Sequence, residues 1–317
     1  MRRNFITCAV LMAAMIMIPL VAMQTDVEKP MKKNDPDEKY NGYISVMKSE
    51  NGKVDAIEET EYLKGVLAAE MPMEYHEEAL KAQVVAAYTY ALHQRQKADS
   101  QDLNGADISD DPGVHQGYLS REDRQKKWGD NFEEYEQKAQ EIVESVSGVK
   151  ILYDGQPVLA AYHDINNGQT HSALTVWKKD IAYLQQVESP GDKLSEDYSE
   201  DVELTYSEFR EMIKKIDGIN PEGEEDEWIG GIKKTDGGYV TSVEICSNSV
   251  AVADFRTVLG LRSCCFDITS DEDSIKIRTY GNGHMVGMSQ YGADYMARQG
   301  SGYKEILMHY YKDVEIK

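Results

Sequence analysis

Cysteine is scarce in this chain, and the few present lack the spacing that redox or zinc chemistry needs. Of 317 residues only four are cysteines, Cys8, Cys246, Cys264 and Cys265. No Cys-x-x-Cys pair exists among them, which excludes a zinc knuckle and a thioredoxin-type redox motif. One disulfide from Cys246 to Cys264 or Cys265 and a set of buried free thiols are equal alternatives. Positive charge is the second shortage: 34 Lys and Arg stand against 56 Asp and Glu, a formal net charge of -22. Such a chain is repelled by phosphate and gains nothing from counterion release, so nucleic acid is excluded as a partner and the charge serves solubility. A phosphate loop is missing too. The run Gly281-Asn282-Gly283-His284-Met285-Val286-Gly287 is glycine-rich enough for close backbone approach but has neither the lysine nor the spacing for nucleotide binding.

Long apolar stretches are equally rare, which makes the one at the start conspicuous. Met1-Arg2-Arg3 precedes an apolar run from Phe5 to Met23, interrupted by Thr7 and Pro19. That length spans a bilayer core of about 30 Å, with the arginines on the cytoplasmic side. Val21-Ala22-Met23 lacks the small-x-small cleavage pattern, so residues 1–23 are expected to stay as a single-pass anchor, the alternative being a cleaved signal peptide. Residues 24–40 hold Pro30, Pro36 and charges of both signs, and read as a flexible tether. The remainder, 41–317, is then extracytoplasmic. With 41% hydrophobic residues it can bury a substantial core, as one large region or two small ones.

That remainder is organised around Glu61 to Gln94. Tyr62 to Ala69 carries helix formers with small residues interspersed, and Pro72 disfavours helix at Met71, so a first helix ends near Glu70. A second helix is expected from Glu74 to Lys97, with Leu80, Val84, Ala87, Tyr88 and Ala91 at the spacing of one buried face. Glu70 is the anomaly, an acid placed after Val66-Leu67-Ala68-Ala69 and before a turn. At a helix C-terminus among apolar neighbours the dipole and desolvation both disfavour the ionised form, which suits a general acid. A solvated acid at a helix end is the plainer alternative.

Elsewhere the pattern is α+β, mixed sheet elements packed with core helices. Tyr43 to Met47 and Lys53 to Ile57 form a hairpin around Asn51-Gly52. Residues 98–124 are polar with Gly105, Pro112-Gly113 and Gly117, an excursion rather than a core element. Within it His115 reads as a surface residue. A helix from Glu133 to Val146 is followed by strands at 149–152 and 157–162 around Asp154-Gly155. Residues 192–227 are acid-rich, contain a helix from Tyr206 to Asp217, and receive no catalytic role. Val240 to Cys246 is a strand, Ser249 to Leu259 includes a helix, Ser289 caps a helix to Arg298, and Tyr303 to Tyr311 is the last helix.

Two blocks carry a family resemblance. Tyr62-Leu63-Lys64-Gly65-Val66, Glu70-Met71-Pro72 and Glu78-Ala79-Leu80-Lys81-Ala82-Gln83-Val84-Val85-Ala86-Ala87 form the first, and Gly283 to Ala293 the second. Weaker echoes lie between them, at Ala161-Tyr162-His163, Asn167 to Thr170 and Leu259 to Ser263. Together they resemble the stage II sporulation protein D family over roughly residues 41–317. The resemblance implies lytic cleavage of peptidoglycan glycan strands during engulfment in sporulation, with Glu70 as the catalytic acid. It implies substrate binding by Lys81, Gln83, His163, Thr170, His284, Ser289 and Gln290, with no cofactor. It also implies other cell-wall hydrolases or sporulation proteins as partners. Within residues 98–124 the family often carries two cysteines, flanking a histidine, that can bind zinc together with histidines. This chain has Ser109 and His115 near those places and no cysteine, so no metal is expected. The family usually has arginine at Tyr88 and glycine at Met285. Loss of the guanidinium removes a fixed cation.

Three rivals follow from the same residues. One is a noncatalytic peptidoglycan-binding or amidase-enhancing partner, one a two-carboxylate hydrolase that activates water, and one a zinc hydrolase using His163, His171 and His284.

Overall fold

The computed structural model describes residues 42–97 and 103–317. The expected anchor at 1–23 and tether at 24–40 lie outside the described residues. Among the described residues no helix is long and apolar enough to cross a membrane. The architecture is mixed α+β, with several small sheets and core helices. Among the described residues the chain forms two compact units, 42–162 with 293–317 and 163–292.

The first unit starts with β1 (Tyr43–Met47) and β2 (Val54–Glu58), an antiparallel hairpin in which Ile44 faces Ile57. Ile44 and Val46 are fully buried and their strand neighbours are not, the period-two pattern of a half-covered sheet. From β2 the chain passes directly into α1 (Glu59–Glu70), whose first turn is capped by the Glu58 side chain accepting from Glu61 N. At its end Met71 is extended, as the residue before a proline must be.

The second helix, α2 (Glu77–Arg95), starts three residues later than the carboxylates suggest. Residues 72–75 instead close a turn through Tyr75 N and Pro72 O. His76 then caps the helix, its Nδ1 accepting from Glu78 N at 3.2 Å while its own N donates to Asp294 Oδ1 at 2.6 Å. Glu77 and Glu78, not Glu74, occupy the first turn. Fourteen of its nineteen residues are buried, so it is covered on nearly every side rather than on one face. The helix Tyr303–Tyr310 packs on it.

Residues 103–120 correct the reading of an excursion. Leu103, Ala106, Ile108, Ser109, His115 and Gln116 are buried, and β3 (Ile108–Ser109) adds to β1 in parallel. His115 is not a surface residue: its Nδ1 accepts from Ser109 N at 3.1 Å. Next come α3 (Arg121–Trp128) and α4 (Phe132–Ser145), the latter burying Ala139, Ile142 and Val143. The strands expected beyond it are shorter, β4 (Ile151–Tyr153) and β5 (Gln156–Pro157). Asp154 and Gly155 turn between them with φ of 50° and 75°, the mirror-type turn that tight hairpins favour.

The 163–292 unit holds β6 (Ser199–Thr205), α5 (Tyr206–Ile213), β7 (Ile229–Lys234), β8 (Val240–Ile245), β9 (Asn248–Ala251), α6 (Val252–Leu259), β10 (Phe266–Ser270) and β11 (Ser274–Tyr280). They form two antiparallel sheets, in the orders β9-β8-β7 and β10-β11-β6. The core gathers Phe209, Val243, Phe255, Phe266 and Ile277 from both sheets and both helices, with the Phe255 and Phe266 rings stacked at 5.6 Å. Cys246, Cys264 and Cys265 are free thiols, the last two buried, so the disulfide alternative falls away.

Candidate active site

Glu70 ends α1 half-buried, and the local sequence explains why it is held there. Met71 and Met73 are both buried around the exposed Pro72, which pins the turn that follows the acid. One lysine serves an orphan carbonyl at this helix end and a second holds the turn beyond it. Lys127 Nζ donates to Ala68 O at 2.7 Å and Lys138 Nζ to Met73 O at 2.5 Å. The Lys127 ammonium also interacts with the charge on Glu70.

The Glu70 carboxylate accepts a hydrogen bond from Gly117 N to Oε1 at 2.6 Å, a contact across 47 residues. Beside it stands a wall of phenols. Burial holds the hydroxyls of Tyr62, Tyr90 and Tyr162 well above the ordinary phenol range, and the charge of Glu70 pushes each the same way. These tyrosines therefore stay neutral at any physiological pH. Two are joined by Gln116, whose Nε2 donates to Tyr62 Oη at 2.7 Å and to Ala87 O at 3.2 Å. Tyr162 Oη donates to Gln116 Oε1 at 2.9 Å. Sequence reasoning missed Gly117, Gln116, Lys127 and the tyrosines, because only folding brings them to residue 70. Tyr88, at the position where the resemblance expects arginine, hydrogen-bonds Glu59 at the opposite end of α1, about 16 Å along the helix from Glu70.

The other candidates are mostly committed elsewhere. Lys81 bonds Glu77 and Glu78 of its own helix at 2.6 and 2.9 Å, and those carboxylates raise its pKa. Gln83 has no exposed surface, so in this arrangement it offers a polymeric substrate no contact. In the 163–292 unit Thr170 is fully buried, its hydroxyl accepting from Val187 N at 2.9 Å. His163 and His284 have ring centroids 5.6 Å apart, with Trp177 5.2 Å from His284. Both imidazoles bond the main chain of Val286, His163 Nδ1 donating to its O at 3.1 Å and His284 Nδ1 accepting from its N at 3.0 Å. Gln290 is buried. Ser289 Oγ accepts from Gly292 N at 3.1 Å, the expected capping bond.

Burial lowers His163 to about 3 and His171 to about 4, so both are neutral. His171 Nε2 lies 3.3 Å from Asn167 Oδ1 and 3.6 Å from Cys265 Sγ. Among the described residues no group of three or more His, Cys, Asp or Glu side chains is placed to hold a metal ion. Met285 has φ 68°, the left-handed conformation that glycine adopts without cost, and its side chain is wholly buried.

Asp192, given no role from sequence, is the other acid at the centre of a network. It is fully buried, and Asn166 N and Ser289 Oγ donate to Oδ1 at 2.7 and 2.5 Å while Ser189 Oγ donates to Oδ2 at 2.5 Å. Burial pushes its pKa up to about 6 against those donors. Without solvent access it is a clamp rather than a reagent. Glu70, by contrast, combines a fixed orientation with partial exposure.

Comparison with known proteins agrees with the motif blocks. The family model described as Stage II sporulation protein matches residues 47–153. Stage II sporulation protein D of Bacillus subtilis (strain 168) is 35% identical over 274 residues, covering 86% of this chain and 78% of that protein. Its namesake in Bacillus amyloliquefaciens is 34% identical over the same shares. The Amidase enhancer of Bacillus subtilis (strain 168) is 27% identical over 78% of this chain but 39% of its own length.

Proposed function

The chain belongs to the stage II sporulation protein D family, and from that premise we propose that it is a lytic transglycosylase of sporulation, cutting peptidoglycan glycan strands with Glu70 as the acid. The observation that carries the reading is the setting of Glu70, half-buried at the end of α1 with Oε1 tied to Gly117 N. In the reaction the Glu70 carboxyl protonates the glycosidic oxygen leaving MurNAc. The 6-hydroxyl of the same sugar bonds C1 as the glycosidic bond breaks, and its proton passes to the Glu70 carboxylate. No water is consumed, and the acid is restored. An intramolecular hydroxyl has a far higher effective concentration than a diffusing nucleophile. The apolar run 5–23 would anchor this chemistry outside the cytoplasmic membrane.

A second reading, a noncatalytic partner of a cell-wall amidase, draws on the similarity to the Amidase enhancer and on the burial of most binding candidates. Glycan strands digested in heavy-oxygen water separate these readings. The transglycosylase releases fragments ending in 1,6-anhydro-MurNAc without label. Labelled reducing ends would mean a hydrolase with a second carboxylate, and no fragments at all, with a stimulated amidase, would mean the partner.

A further inference from the structure

Segment 116–119 lies flat against α1 at two points where the sequence has glycine. At Gly65 an added Cβ would sit 2.4 Å from the Tyr118 ring and 2.6 Å from Leu119 O, and Leu119 N donates to Gly65 O at 3.1 Å. At the other point Gly117 meets the end of the helix. A Cβ on residue 117 would stand 3.1 Å from Ala69 Cβ and 3.2 Å from Glu70 Oε1. Gly117 is not among the residues with positive φ, so its backbone suits other residues and the requirement at 117 is space. Gln116 fixes the segment from the other side. Its side chain is 4% exposed, and its amide bonds Tyr62, Tyr162 and Ala87.

We propose that Gly117 is a positioning residue for Glu70, its backbone N–H orienting the carboxyl through Oε1 so that Oε2 faces the substrate, with Gln116 holding that N–H in place. The inference rests on the reading of Glu70 as general acid. A backbone donor costs no reorganisation, and it bonds the carboxylate left after proton transfer more strongly than the neutral acid. Loss of the arrangement leaves the acid present but misaimed, an error that costs rate rather than binding.

Two measurements on the full chain test this. Labelling with 15N-glycine and carbonyl-13C glutamine selects the amides of Gly117 and Gly300, the glycines that follow glutamine. The Gly117 proton should resonate far downfield and move upfield in Glu70→Gln, as a charge-assisted acceptor becomes an amide. An unchanged shift overturns the contact, and this readout needs no variant at 117. In turnover of glycan strands, Gly117→Ala and Gln116→Leu should each lower kcat about ten- to a hundredfold with KM nearly unchanged. A folded Gly117→Ala with wild-type kcat, beside an inactive Glu70→Gln, overturns the positioning role alone. A fully active Glu70→Gln instead overturns the general-acid reading, while the amide shift still reports whether the contact exists.

Discussion

Glu136, in the unit of residues 42–162 and 293–317, and Asp192, in the unit of residues 163–292, are both buried carboxylates that accept three hydrogen bonds. Their pKa values are displaced in opposite directions. Glu136 receives Lys64 Nζ and Arg124 Nη2 on Oε1 at 2.9 and 2.8 Å and Arg124 Nε on Oε2 at 2.9 Å, and it is lowered to about 2. Asp192 receives one backbone N–H and two hydroxyls, and it is raised to about 6. Burial opposes ionisation in both. Cations outweigh that cost and neutral dipoles do not, even with equal numbers of bonds. Glu70 belongs to neither class, being half-buried, with a backbone donor on one oxygen, the Lys127 ammonium acting on its charge and a neutral phenol wall beside it.

The largest expected effect separates Glu70 from both structural acids. Glu70→Gln is nearly isosteric and keeps an oxygen for Gly117 N, so its thermal midpoint should match wild type. Activity on glycan strands should fall roughly a hundred- to ten-thousandfold, the usual worth of a general acid. An active variant, or one that loses its fold, would place Glu70 with Glu136 and Asp192.

Arg124→Met comes next. The guanidinium has no exposed surface and bonds Glu136, Glu61 and Leu119 O, joining α3, α4 and α1. Removing it leaves two carboxylates beside the single Lys64 ammonium. Breaking a buried ionic network by deleting one partner costs about 3–5 kcal/mol, to be read from the denaturant midpoint. A loss below about 1 kcal/mol would show that the network acts as a solvated surface pair.

Much of this frame is legible in the chain itself. Asn51-Gly52 announces the hairpin, Pro72 ends α1 at Glu70, and the apolar pattern of Leu80 to Ala91 marks a core helix, because each signal is local. The start of α2 is misread because the His76 cap depends on a partner at residue 294. Gly117 looks like any loop glycine until folding carries it 47 residues back to Glu70. Asp192 opens an acid-rich stretch in which one buried carboxylate resembles its solvated neighbours. Thr170, Gln83 and Ser289 are expected to bind substrate only through the family resemblance, and their burial is a tertiary outcome.

The smallest effect tests the comparison through its sign. An acid whose folded pKa lies above its unfolded value binds a proton more tightly when folded, so its contribution to stability is fullest below the unfolded pKa and is lost as pH rises through the folded one. For Asp192 that window runs from 3.8 to about 6. Glu136 behaves oppositely: its contribution is present above 4.5 and is lost as pH falls toward 2. Asp192→Asn mimics the protonated acid but turns an amide toward groups that donate, costing about 1–3 kcal/mol at pH 4. The mismatch is softened because Ser289 Oγ can donate to Asp164 O, 3.2 Å away, and accept from residue 192. As pH rises from 4 to 7 the wild type pays for burying a charge that the variant lacks, so the variant's deficit should shrink. Glu136→Gln should show a deficit that grows as pH rises from 2 through 4.5. Denaturant titrations at several pH values measure both slopes. A deficit for Asp192→Asn that widens with pH would mean that three neutral donors outweigh burial, and the contrast with Glu136 would disappear.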